Sequence, residues 1–243
     1  MKTIKLDAID STNDFLKGLI QNQSVENFTI VTAKKQTKGK GQMGSIWHTE
    51  ESKNLITSIL ISNTLSSTES IFELNIAVAV SIIKALKKNK IPLLTIKWPN
   101  DIMAGDKKIA GILIENIFRE RGNIESVVGI GLNVNQTDFE NLPKATSLKN
   151  IMNQDFVVEE ILEEIVANLQ FYTEKIKNKE VDLLWKTYHE LLFKIGKPVV
   201  FENNNQEKFM GIIQTVNKNG QLEVILEDDS IQKYGIKEIT MIY

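Results

Sequence analysis

The chain has 243 residues, 42% of them hydrophobic and 25% charged, with a formal net charge of −2 and no cysteine. That length supports one large domain plus a small one, and a slightly negative chain is not an obvious nucleic-acid binder. Absent cysteines exclude disulfides, thiolate metal sites and a cysteine nucleophile, and with only His48 and His189, far apart in sequence, no protein-held metal is expected.

No apolar run reaches the roughly 18 residues of a membrane span, and the N-terminal Met-Lys-Thr-Ile-Lys-Leu lacks a signal-peptide core. A cytoplasmic protein with no membrane partner is therefore expected. Thr3 to Leu6 reads as a short strand. Asp10-Ser11-Thr12-Asn13-Asp14 followed by Phe15, Leu16, Leu19 and Ile20 is a helix start, capped by Asp10, Ser11 or Thr12. Amides and hydroxyls at such a start cap the helix or grip a polar ligand group.

Phe28 to Ala33 reads as a buried strand. From Thr29 to Thr49 there is no acid, while Lys34, Lys35, Lys38 and Lys40 are interleaved with Gly39, Gly41 and Gly44 further on. A basic, glycine-rich loop suits a lid over an anionic substrate, because its backbone can come close and its lysines attract phosphate. It is not a Walker A loop, since GxxxxGK[ST] is absent. Trp47 ends the loop, either as a core anchor, the commoner use, or as the apolar wall of a pocket. Asn54 to Ser62 reads as a strand. Ser66 to Glu69 opens a long helix carrying Ile71, Leu74, Ala77, Val78, Ile82, Ala85 and Leu86 at helical spacing.

Lys97 to Glu115, KWPNDIMAGDKKIAGILIE, is the most informative stretch. Leu93 to Ile96 leads in as a strand, and Pro99, which has no amide hydrogen, interrupts the ladder. Asn100 and Asp101 sit at the break. Ala104-Gly105-Asp106-Lys107 is a hairpin turn, and the chain returns from Lys108 to Ile114. Asp101 and Lys108 are thereby expected close together across one hairpin. Ile124 to Asn135 is a further strand whose Gly129 and Gly131 lack side chains on one face, clearing it for a ligand, with Asn133 next on that face. Val158–Ile176 and Val181–Leu192 are scaffold helices. From Gly196 the period switches to alternation, giving short strands that suit a small barrel docked on the main domain.

Four stretches in order resemble the biotin–protein ligases: Ser11-Thr12-Asn13, the loop Thr37 to Trp47, KWPNDI with KKIAGILIE, and GIGLNVN from Gly129. The resemblance covers nearly the whole chain, and the KWPND–KxxGIL pair carries most of its specificity. It implies an α+β fold: a mixed or antiparallel sheet packed by helices, as in class II aminoacyl-tRNA synthetases, over residues 1–194, and an SH3-like β-barrel over 195–243. It also implies an enzyme that uses ATP with Mg2+ to form biotinyl-5′-adenylate and then biotinylates a lysine of a biotin carboxyl carrier protein. The implied biotin contacts are Ser11, Thr12, Asn13, Gln36, Lys40, Gly41, Gln42 and Lys108, with Gly129 and Gly131 beside the ligand. Lys40, Asn100, Lys108 and Asn133 would meet the nucleotide, and Lys108, Asp101 and Lys40 would carry the catalysis.

That chemistry suits the residues. A carboxylate approaching an α-phosphate joins two anions, and Lys108 can stabilise both. No enzyme nucleophile is required. Asp101 is placed to orient or deprotonate the incoming lysine. The family loop often has arginine where Lys40, Gln42 and Ser45 stand, so a looser hold on the adenylate is expected. Some family members carry a DNA-binding helix-turn-helix domain. Thr3 already begins the first strand here, so no DNA partner is expected. Monomer and homodimer both stay open, as do a lipoate–protein ligase and a non-catalytic biotin or nucleotide binder.

Overall fold

The computed structural model describes residues 2–65, 67, 70–119, 123–140 and 142–243, with the backbone only of Met43. The chain opens with β1 (Thr3–Ile9), α1 (Thr12–Asn22) and β2 (Ile30–Gln36), and β1 and β2 pair in parallel. Ser11 starts α1: its backbone is extended and its hydroxyl accepts from the Asp14 amide at 3.3 Å. Leu16 and Ile20, four residues apart, then face the same way and pack on Val31, Leu60 and Val127.

Next come β3 (Leu55–Ile61), α2 (Ile71–Lys88), β4 (Leu94–Lys97), β5 (Asp101–Ala104), β6 (Lys107–Phe118) and β7 (Ile124–Leu132). These strands complete a seven-stranded sheet of order β1-β2-β3-β7-β6-β5-β4, antiparallel except for β1 and β2. The expected opening residues of α2, Ser66 and Glu69, lie outside the described residues. β3 is buried along its whole length: Leu60 packs with α1, and Leu55, Ile59 and Ile61 join the large apolar cluster that also contains α2. After α3 (Leu148–Met152), α4 (Val158–Lys177) and α5 (Asp182–Glu190) pack on α2. Leu74, Ile76, Val80 and Ile83 are fully buried there. Among the described residues no helix is long and apolar enough to cross a membrane.

A second, all-antiparallel sheet follows: β8 (Pro198–Asn203), β9 (Lys208–Val216), β10 (Leu222–Ile225), β11 (Ile231–Tyr234) and β12 (Ile239–Ile242), in order β11-β10-β9-β8-β12. Alternation decides its faces, as in β12, where Ile239 and Met241 are buried while Thr240 and Ile242 are exposed. Its buried residues join the helices' apolar cluster rather than forming a separate one. The Trp98 indole N–H donates to the Gly220 carbonyl at 2.9 Å, and the Gly196 amide to the Ile213 carbonyl at 2.9 Å. Gly220 has positive φ and lies against the Phe72 ring, where a side chain would collide at 2.6 Å. The small sheet is thus fastened at the stretch that leads into Asp101.

Candidate active site

Between the two sheets lies a cavity of about 260 Å³. Its walls come from the start of α1, the loop after β2, the β4–β5 turn, β6, β7 and the second sheet. Pro99 interrupts the ladder as expected: β4 ends at Lys97 and β5 begins at Asp101. Asn100 braces the turn, its amide donating to the Ile112 carbonyl at 2.7 Å and its own carbonyl accepting from the Ile112 amide at 3.0 Å. Asp101 and Lys108 meet across β5 and β6 at 2.6 Å. A second ammonium, Lys97, lies 3.9 Å from the other Asp101 oxygen. Burial pushes Lys97 below its ordinary pKa; Asp101 opposes that shift, and Lys108 and Lys144 add to it.

The start of α1 is held by a chain of hydrogen bonds. Gln36 Oε1 accepts from the Thr12 amide at 2.8 Å and from its hydroxyl at 3.0 Å. Ser58 donates to the Thr12 hydroxyl or to Asn13 Oδ1, at 2.7 and 2.5 Å. Asn13 donates to Glu115 at 2.8 Å, and Lys17 pairs with Glu115 at 2.6 Å. Ser11, Thr12 and Asn13 are each only 3% exposed, so these polar groups are fixed in place before any ligand arrives. Ser58 and Lys17 carried no motif, and Glu115, though it closes the KKIAGILIE stretch, was given no role.

Gly129 and Gly131 do clear one face of β7, but the space is used by the protein itself. A side chain on Gly129 would meet Asn13 Oδ1 at 2.5 Å, and one on Gly131 would meet the Trp47 ring at 2.4 Å. Trp47 is therefore a cavity wall rather than a core anchor. Its indole lies along Gly131 and Gly111, with the Lys108 ammonium 5.4 Å from the ring centroid.

The basic loop is less cationic than its sequence suggests. Lys34, Lys38 and Lys40 pair with Asp7, Asp10 and Asp14 at 2.8, 2.8 and 2.6 Å, and Lys35 pairs with Glu51 at 3.5 Å. Burial works against ionised Asp14, but Lys40 and Lys17 outweigh it and hold the carboxyl below its usual pKa. Carboxylates from β1, the β1–α1 junction, α1 and Glu51 thus neutralise a segment that contains no acid of its own. Gln42 and Ser45 line the cavity without charge. Gln42→Arg would add an unpaired guanidinium beside the cavity. It is expected to slow release of a bound acyl-adenylate by about tenfold, the worth of one charge-assisted hydrogen bond. Rapid-filtration release of labelled adenylate measures this, and an unchanged rate counts against a loop-controlled leak.

All the anticipated site residues except Asn133 line this cavity: Ser11, Thr12, Asn13, Gln36, Lys40, Gly41, Gln42, Asn100, Asp101, Lys108, Gly129 and Gly131. Asn133 is buried elsewhere, donating its side-chain amide to the Thr146 carbonyl at 3.1 Å. It ties the end of β7 to the segment before α3, because the chain leaves the strand at Leu132 and no longer follows the face of the two glycines. Phe201, Leu222, Ile239 and Met241 of the second sheet, with Ile236 from the turn before β12, also line the cavity. Among the described residues no three His, Cys, Asp or Glu side chains are grouped to hold a metal ion.

Residues 6–135 match the family model described as the biotin/lipoate A/B protein ligase family. The bifunctional ligase/repressor BirA of Bacillus subtilis is 30% identical over 189 residues, covering 75% of this chain, and the chain spans 58% of that relative's length. The biotin--[acetyl-CoA-carboxylase] ligase of Mycobacterium tuberculosis is 25% identical, over 87% of this chain and 79% of its own. Among solved structures, the biotin protein ligase from Aquifex aeolicus in complex with biotin and ATP superposes with a TM-score of 0.81 and 26% identity, covering 99% of this chain and 98% of the other. With that model spanning more than half of the 243 residues, the chain belongs to the biotin/lipoate A/B protein ligase family.

Proposed function

We propose that this protein uses ATP to activate biotin as biotinyl-5′-adenylate and transfers the biotinyl group to a lysine of a biotin carboxyl carrier protein or domain. The observation that carries the proposal is the convergence, in one cavity, of the Lys108 ammonium, the polar start of α1 and the glycine-cleared face of β7. The Aquifex aeolicus relative, solved with biotin and ATP, lends support. Residues 1–194 carry the chemistry, and 195–243 close the cavity over it.

In the first step a biotin carboxylate oxygen bonds to the α-phosphorus, and the bond to the β-phosphate oxygen breaks with its electron pair, releasing pyrophosphate. Lys108 lies where two anions must approach, and its charge counts most as negative charge spreads over the phosphoryl oxygens. Trp47 and the apolar side chains of the second sheet keep water from the mixed anhydride. In the second step the acceptor amine attacks the biotinyl carbonyl and AMP leaves. Asp101 sits where it can orient the amine or take its proton. Magnesium would arrive on the nucleotide's phosphates, with Asp101 the one carboxylate among the described cavity walls. The reaction belongs in the cytoplasm, where ATP is supplied.

Biotin-dependent exchange of labelled pyrophosphate into ATP tests the proposal, with lipoate as the parallel arm. Exchange with biotin and none with lipoate is the expected result. Exchange with lipoate alone would move the protein to the other branch of its family, and no exchange with either would leave a non-catalytic binder.

A further inference from the structure

We propose that Lys97 and Lys144, gathered around the Tyr243 ring, hold the diphosphate that leaves during adenylation. The role deepens the ligase function and rests on it for the identity of the anion. The Lys97 ammonium lies 5.2 Å and the Lys144 ammonium 4.4 Å from the Tyr243 ring centroid. Lys97 lines the cavity and its side chain is only 18% exposed. Lys144 is exposed, but its backbone is locked beside the site: the Lys108 amide donates to the Lys144 carbonyl at 2.8 Å, and the Thr146 amide to the Lys108 carbonyl at 3.0 Å.

Charge balance points to an anion here. Asp101 faces both Lys97 and Lys108, and the shorter contact is with Lys108. The nearby Asp106 is engaged by Lys194 at 3.1 Å. Among the described residues Lys144 has no carboxylate partner. Lys97 and Lys108 therefore share Asp101, with the exposed Lys144 adding a third positive charge nearby, and like charges so placed repel unless a polyanion joins them. Burial is the main reason the Lys97 pKa is depressed; Asp101 opposes the shift, and Lys108 and Lys144 add smaller repulsions in the same direction as burial. A phosphate chain whose α-phosphorus lies near Lys108 can extend its remaining two phosphates toward this pair. When the bond between the α-phosphorus and the bridging oxygen breaks, the electron pair goes to the diphosphate, and the two cations stabilise the charge it gains. Tyr243 supplies an aromatic face that keeps both ammonium groups oriented while the anion is absent.

Calorimetric titration of the full chain with inorganic pyrophosphate, alongside exchange kinetics, tests the subsite. The variants are Lys144→Ala, Lys97→Met and the two combined, with Lys177→Ala on α4 as the charge control. Lys144→Ala is expected to weaken pyrophosphate binding and raise its KM in exchange by about tenfold, the loss of one charge-assisted contact. KM for biotin, and transfer from preformed biotinyl-adenylate, should stay within about twofold, since neither uses the diphosphate. Unchanged pyrophosphate binding in the double variant overturns the proposal. So does a raised KM for the acceptor protein with pyrophosphate unaffected, which would give the lysines to an acidic acceptor surface. Should the wild type show no biotin-dependent exchange, the ligase function falls, while the titration still decides the subsite.

Discussion

Lys108→Ala is expected to lower the rate of biotin adenylation by about 10²- to 10³-fold, the usual cost of losing one positioned charge in a transition state. Its ammonium sits 2.6 Å from Asp101 and 5.4 Å from the Trp47 ring centroid, in the corner where the proposed reaction would bring the biotin carboxylate to the α-phosphate. Two other cavity lysines are engaged elsewhere. Lys97 is held on the far side of Asp101, and Lys40 is paired with Asp14. Folding should be little affected, because the Lys108 side chain is about one-third exposed and such pairs contribute modestly to stability. The distinguishing result is lost pyrophosphate exchange with a melting temperature near that of the wild type. Lys108→Arg should recover part of the rate, since it keeps the charge but changes its shape. Near-wild-type exchange in Lys108→Ala would remove Lys108 from the chemistry.

Gly131→Val is expected to raise KM for biotin by about thirtyfold, equivalent to the roughly 2 kcal/mol typical of overpacking. Its Cα is paired with Ile56 on one side and Gly111 on the other, in the middle of the sheet, so the backbone cannot move aside. The Trp47 ring must then leave the face of β7, since an added Cβ would lie 2.4 Å from it. Tryptophan emission should shift to the red as the indole becomes hydrated, and the shift should vanish in a Trp47→Phe background, which separates Trp47 from Trp98 and Trp185. Gly18→Ala is the control: nothing lies within 4 Å of the added carbon, so KM should not change. Unaltered biotin KM in Gly131→Val would mean that the ligand does not use the face occupied by Trp47.

What could be read from the sequence follows from how local each determinant is. Asp101 and Lys108 are seven positions apart with a turn between them, so strand geometry alone brings them together. The start of α1 announces itself because a cap is a short-range device, although Asp10, Ser11 and Thr12 all qualified and the structure uses Ser11. The partners of the basic loop were hidden because Asp7, Asp10 and Asp14 precede it in sequence, and only the parallel pairing of β1 with β2 lays them alongside. The walls contributed by Phe201 and Met241 were hidden for a similar reason. Alternation reveals that a strand has an inner face, but not which body that face will cover. Asn133 shows the opposite failure. Counting by twos from Gly129 and Gly131 put it beside a ligand, yet the strand had already ended.

The second sheet's share of the cavity has a consequence for synthesis on the ribosome. Wall residues run from Ser11 to Met241, and β12, the latest-made of the strands that form them, must pair with β8 some forty positions earlier. A nascent chain can complete the seven-stranded sheet well before β12 has emerged, yet its cavity is still missing a side. Competence therefore comes as a late event in the life of each molecule, and a ribosome stalled within β11 would display a well-ordered but open vessel.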